Sequence, residues 1–242
     1  MLRPTSTAIA IAVLTAVALP AVAQPKPQPK QTQQQAAKTD ARLSPDVVAQ
    51  RVQEFYGKTA DYQASFKQTY HDVAAGNQKV TVGKVYFKKP GKMRWDYRKA
   101  DSKQMDKLYV SDGSSFWVYE FEFKQVFKQC LKDSQLPTSL SFLMGTGDLL
   151  EEFDVTYAKG STPQKPELRL VPKVPTSKYR ELSFTLDPNT YQVVRTIIYD
   201  PYGNMNEIEF SRVNVNKNLP DSGFDFQVPK GARVLNPQQK CD

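Results

Sequence analysis

FKKPGKMRWDY, Phe87 to Tyr97, is the stretch on which the reading of this chain turns. Lys88, Lys89, Lys92 and Arg94 are interleaved with Phe87, Met93, Trp95 and Tyr97, around a Pro90-Gly91 break. Basic and aromatic residues mixed in this way can grip single-stranded nucleic acid, where charges track phosphates and rings stack on bases. They can equally form a β-hairpin. Alternation along a strand puts Met93, Trp95 and Tyr97 on one face and Lys92, Arg94 and Arg98 on the other. A nucleic-acid grip needs both sets in one groove. The stretch is therefore read as a hairpin with an apolar face and a wet basic face, Phe87 finding its own place on the preceding strand.

The same period of two continues in both directions. Tyr62, Ala64, Phe66 and Tyr70 alternate with Gln63, Ser65, Lys67 and His71. Further strands are predicted over 79–88, 92–98, 105–111, 115–121, 124–131, 152–158, 167–173, 179–186, 191–199 and 206–215. Asp112-Gly113, Asp187-Pro188-Asn189 and Pro201-Tyr202-Gly203-Asn204 supply turns. With about eleven consecutive strands and no βαβ rhythm, the sheet should be antiparallel. The expected fold is mainly β (α+β): an incomplete antiparallel β-barrel with a helical lid over an apolar cavity. Ser44-Pro45 starts one helix, with Val47, Val48, Val52, Phe55 and Tyr56 at helical spacing up to Gly57. Pro137 to Leu150 reads as short helices interrupted at Gly145 and Gly147.

The N-terminus sets the compartment. Arg3, an apolar run from Ala8 to Leu19 and Ala21-Val22-Ala23 have the form of a secretory signal peptide over 1–23. Residues 24–43, rich in Pro and Gln, are read as a disordered tether with polyproline II character. Residues 44–242 are read as a single domain. The precursor carries a net charge of +8. Export to the periplasm makes nucleic acid a poor partner and favours anionic lipid headgroups or an acidic protein face. That compartment also suits a disulfide between Cys130 and Cys241, two separate thiols being the alternative.

Catalytic constellations are hard to assemble. His71 is the single histidine. No G-x-S-x-G is present, Gly145-Thr146-Gly147 is too short for a phosphate loop, and the two cysteines do not suggest a zinc site. No enzyme, metal or cofactor is therefore expected. The 13 Phe and 12 Tyr instead point to apolar surface, either a filled core or a ligand cavity.

Four stretches resemble the periplasmic lipoprotein carrier family of the LolA type. They are Tyr62-Gln63-Ala64-Ser65-Phe66-Lys67-Gln68; GKVYFKKPGKMRWDY from Gly83; Val110-Ser111-Asp112-Gly113-Ser114-Ser115-Phe116-Trp117-Val118-Tyr119; and Phe224-Asp225-Phe226-Gln227-Val228-Pro229-Lys230-Gly231. The resemblance implies a monomeric chaperone that binds the acyl chains of lipoproteins. Its partners would be an inner-membrane lipoprotein-releasing ABC transporter and an outer-membrane, LolB-like acceptor. It implies a cavity and lid lined by Phe66, Met93, Trp95, Phe116, Leu140, Phe142, Leu143 and Leu149. It also implies a latch at Lys89, where the family usually has Arg, holding the lid shut. A lipid- or peptide-sensing regulator of the RseB type shares the fold, but carries a second C-terminal domain that this chain does not show after Phe224-Asp225-Phe226.

Overall fold

A computed structural model describes residues 42–102, 104–133, 147–235 and 241. The expected signal peptide, most of the tether, and Leu140, Phe142 and Leu143 lie outside the described residues. No helix among the described residues is long and apolar enough to cross a membrane.

Helix α1 (Pro45–Gly57) begins where the Ser44 side chain accepts from Val47 N–H, with Pro45 in the first turn. It buries Val48, Ala49, Val52 and Tyr56 on one face. Eleven strands follow in two meanders. The first is β1 (Asp61–Asp72), β2 (Asn77–Lys88), β3 (Lys92–Lys99), β4 (Met105–Asp112), β5 (Ser115–Glu120) and β6 (Gln125–Cys130). A single helical turn, α2 (Leu149–Glu152), leads into the second: β7 (Phe153–Tyr157), β8 (Glu167–Pro172), β9 (Glu181–Leu186), β10 (Val193–Tyr199) and β11 (Met205–Val215). The meanders join through β1 and β11, giving one open sheet in the order β12-β6-β5-β4-β3-β2-β1-β11-β10-β9-β8-β7.

The twelfth strand, β12 (Arg233–Leu235), was not anticipated, and it pairs parallel to β6. The sheet is therefore twelve-stranded and not wholly antiparallel. Three residues after a Pro-Lys-Gly turn carry too little alternation to read as a strand.

Register places Phe87 opposite Met93 and Val85 opposite Trp95, so these four share a face. The sheet curls toward that face. Strands β3 and β11 are separated by two others, about 14 Å in a flat sheet, yet the Trp95 and Phe210 rings are 6.3 Å apart. The main core fills this inner face and includes α1, Leu149 of α2 and residues from both meanders. A smaller cluster, Leu108, Val110, Tyr119 and Val126, lies on the outer face of β4–β6, with Trp117 and Phe226 against it. The chain after β11 crosses this outer face as a strap, through a 3₁₀ turn at Asp221–Phe224, and ends in β12. The phenyl ring of Phe226 lies 5.8 Å from Trp117. Cys130 and Cys241 are joined by a disulfide with a Cα–Cα distance of 5.1 Å.

Candidate functional site: the inner face and its helix

The inner face is built from strand alternation. Tyr62, Ala64 and Phe66 come from β1, Val85 and Phe87 from β2, Met93, Trp95 and Tyr97 from β3, and Phe210 from β11. Phe66 crosses Gly83 to reach Trp95 and Tyr97, both at 4.9 Å between ring centroids. A Cβ on Gly83 would strike the Asp96 carbonyl oxygen and the Phe66 ring, so only glycine permits this crossing. Trp95 also meets Phe87 at 5.9 Å and stacks on Tyr97 at 5.9 Å. Burial pushes the phenols of Tyr56, Tyr62 and Tyr97 well above the ordinary tyrosine value, so all stay neutral. The indole Nε1 of Trp95 and the hydroxyl of Tyr62 are buried without a hydrogen-bond partner.

Of the residues proposed to line a cavity or lid, Phe66, Met93, Trp95, Phe116 and Leu149 are all buried in this one cluster. Two clefts open at the far end of the face, on either side of Tyr70. One, of about 160 Å³, reaches Tyr97 and Tyr109. The other, of about 330 Å³, reaches Tyr179 and Ile198.

Helix α1 spans the near end. Its Tyr56 hydroxyl accepts from Val193 N–H at 3.2 Å, and Gln53 Oε1 accepts from Leu149 N–H at 2.8 Å, tying it to β10 and α2. Its last turn has no basic residue. Lys89, from the β2–β3 turn, supplies one: Nζ donates to the carbonyls of Tyr56 at 2.7 Å and Gly57 at 3.1 Å. The Tyr56 carbonyl also accepts from Thr59 N–H at 3.1 Å, and both carbonyls lie at the helix end, where a cation meets the negative end of the macrodipole. Partial burial holds the Lys89 ammonium below the ordinary lysine value.

The opposite face departs from the wet basic surface that alternation predicted. Lys88 and Lys92 reach Asp221 at 2.7 and 3.1 Å, Lys88 also donates to Leu219 O at 2.6 Å, and Arg94 donates to Gly223 O at 3.3 Å. The strap covers these cations in part, because its carbonyls and Asp221 satisfy them; Arg98 stays exposed. Asp61, which no pattern singled out, is buried and anchors the start of the strap. Its carboxylate accepts from the backbone N–H groups of Lys217, Asn218 and Leu219 at 2.8, 2.8 and 3.3 Å. His71 is partly exposed beside Glu207, at 3.9 Å. Among the described residues no cluster of metal-ligating side chains occurs.

The family model described as "Outer membrane lipoprotein carrier protein LolA" matches residues 57–227. The chain belongs to the LolA family. A curated outer-membrane lipoprotein carrier protein of Methylobacillus flagellatus is 26% identical over 181 residues, 75% of this chain and 85% of that one. Another, of Cupriavidus pinatubonensis, is 29% identical over 154 residues, 63% of this chain and 69% of its own. Among solved structures, an uncharacterized conserved protein from Thermus thermophilus superposes with a TM-score of 0.50 at 13% identity, over 78% of this chain and 97% of that one, and shares the fold. The first three LolA-like stretches fall on β1, on the β2–β3 hairpin and on the β4–β5 hairpin, inside the matched range. The fourth is the strap, running just past its end.

Proposed function

We propose that this LolA-family chain is a periplasmic carrier of lipoproteins, its inner face taking their acyl chains. The observation that carries the reading is the curled, aromatic inner face covered by a short helix whose C-terminal carbonyls are gripped by one partly exposed lysine. An exposed acyl chain costs about 0.8 kcal/mol per CH₂, on the order of 10 kcal/mol per chain. A carrier must hide that area and still release it, which favours an apolar face under a cover held by few polar contacts. Phe66, Met93, Trp95, Phe116 and Leu149 are the described residues assigned to contact the chains. Met93 suits varied chains because its thioether side chain is adaptable. Lys89 is assigned the latch: it holds α1 down when the face is empty and must let go when chains enter. The reading brings with it a signal peptide over 1–23, a releasing ABC transporter at the inner membrane and an acceptor at the outer membrane. The role involves no covalent chemistry.

The test is purification from the periplasm followed by mass spectrometry of what travels with the protein, and release of acylated lipoprotein from inner-membrane vesicles by the purified protein. Bound lipoprotein and efficient release are expected. Ligand-free protein that releases nothing would overturn the assignment.

A further inference from the structure

The middle of the outer face carries a feature that the carrier role leaves unused. Between Gln63 and Ser65 the β1–β11 register slips: Gln63 pairs with Asn214 and Ser65 with Ser211. Arg212 and Val213 therefore stand opposite Ala64 alone, a β-bulge on β11. Arg212 adopts φ 53°, the left-handed region where Gly or Asn is the usual residue. Backbone strain kept by a bulky side chain at a bulge is a recurrent mark of a functional position.

That bulge opens a cleft of about 200 Å³, lined by Gln63, Ser65, Lys84, Tyr86, Arg212 and Asn214. Two cations and four neutral polar side chains face it, with no carboxylate in the lining. Among the described residues, Lys84, Arg98 and Arg212 have no acidic partner within ion-pair distance, whereas Lys67 pairs with Glu209 and Arg94 with Asp96. Arg98 lies two residues beyond Asp96 on β3 and pairs with Val82, two residues before Lys84, so it belongs to the same patch. Lys84, Arg98 and Arg212 thus face this side without a carboxylate of their own, beside the Arg94–Asp96 pair. One phosphate-sized anion would occupy the cleft and leave Arg98 unsatisfied. A layer of headgroups would engage them together.

The geometry points to the outer face around the Arg212 bulge as a docking site for anionic phospholipid headgroups, with one phosphate seated between Lys84 and Arg212. Docking through this face leaves the inner face and α1 turned away from the membrane surface. Each Lys or Arg near an anionic bilayer contributes about 1 kcal/mol, about a fivefold change in partitioning.

The test is flotation of the purified protein with vesicles of phosphatidylcholine alone and of phosphatidylcholine with phosphatidylglycerol, at low and raised salt. The wild type should bind the anionic vesicles, release with salt and ignore the neutral ones. Arg212→Gly should weaken binding about fivefold, and with Lys84→Gln about 25-fold. Because glycine suits φ 53°, Arg212→Gly should unfold no earlier than the wild type, which separates lost docking from lost folding. Lys159→Gln, far along the chain on an exposed turn, serves as the control for net charge and should change binding less than twofold. The proposal falls if Lys159→Gln weakens binding as much as Arg212→Gly. It also falls if the two patch variants bind like the wild type, or if an acidic peptide is captured while anionic vesicles are not.

Discussion

At Lys89, one ammonium group does what a C-terminal cap residue would do from within the helix. Replacing it with Met keeps the stem and removes two hydrogen bonds to carbonyls at the helix end. The site is partly open to water, so part of the Coulomb term is screened, and the expected loss is about 1 kcal/mol in urea denaturation. Under the latch assignment, Lys89→Met should also speed exchange of a fluorescent fatty acid from the inner face, with Lys89→Arg restoring the wild-type rate. Unchanged exchange in Lys89→Met would remove the latch and leave a helix cap. Asp61 answers to a different physics. It is buried, and three strap N–H groups converge on it. Asp61→Ala strands those donors, and a loss of about 3 kcal/mol is expected from thermal or urea unfolding. A variant within 0.5 kcal/mol (roughly the scatter of surface substitutions) would show that water replaces the carboxylate. Trp95 and Met93 were legible from alternation alone. Asp61 was not, because its partners lie about 156 residues further along the chain, and nothing in a strand-start aspartate announces them.

At the scale of elements, the two meanders were written plainly in the period of two, and the Pro90-Gly91 and Asp112-Gly113 turns fixed their hairpins. Gly91 and Gly113, both at positive φ, also pack against each other, which local pattern does not reveal. The bulge in β11 leaves a trace that alternation can detect: Ile208 and Phe210 share one phase, Val213 and Val215 the other. Reading Met205–Val215 as one unbroken alternation hides that slip. The strap has no period at all, since it is held in place by contacts with Lys88, Lys92, Arg94 and Trp117 on distant strands. Its far end is fixed by the Cys130–Cys241 disulfide, 111 residues apart in sequence. Closing a loop of that length removes about 4–5 kcal/mol of chain entropy from the unfolded state. Reduction, or a Cys130→Ser/Cys241→Ser pair, should lower the midpoint of thermal unfolding on the order of 10 °C. The Trp117 fluorescence should change with it, as Phe226 loosens from the outer cluster. A midpoint that moves by less than 2 °C (roughly 1 kcal/mol or less at this size) would mean that the strap is held by Asp61, Asp221 and Phe224 without the covalent tie.

For the whole molecule, acid is the condition under which opposing groups can be told apart. Hydrogen bonds from Lys88 and Lys92 hold Asp221 below the ordinary aspartate value of 3.8. Backbone and side-chain donors at Thr190 and Asn189 do the same for Asp187, and those at Asn204, Tyr202 and Gly203 outweigh desolvation to do so for Asp200. Each of these carboxyls binds fewer protons folded than unfolded below that value. The stability they contribute is complete above 3.8 and is lost as pH falls through their folded values. Burial pushes Glu152 the other way, above 4.5. Folded protein binds the extra proton there, so stability rises slightly as pH falls from neutral through its raised value. The predicted profile of unfolding free energy is therefore a shallow gain on mild acidification and a steeper fall below about pH 4. Urea denaturation at closely spaced pH values measures it directly. Glu152→Gln should erase the gain and leave the fall. Asp221→Asn should weaken the fall without touching the gain, and should do so together with release of the strap, because the same carboxylate that titrates is the one Lys88 and Lys92 hold. If Asp221→Asn leaves the acid limb unchanged, the strap is fastened elsewhere and the basic side of the β2–β3 hairpin is free to serve another partner.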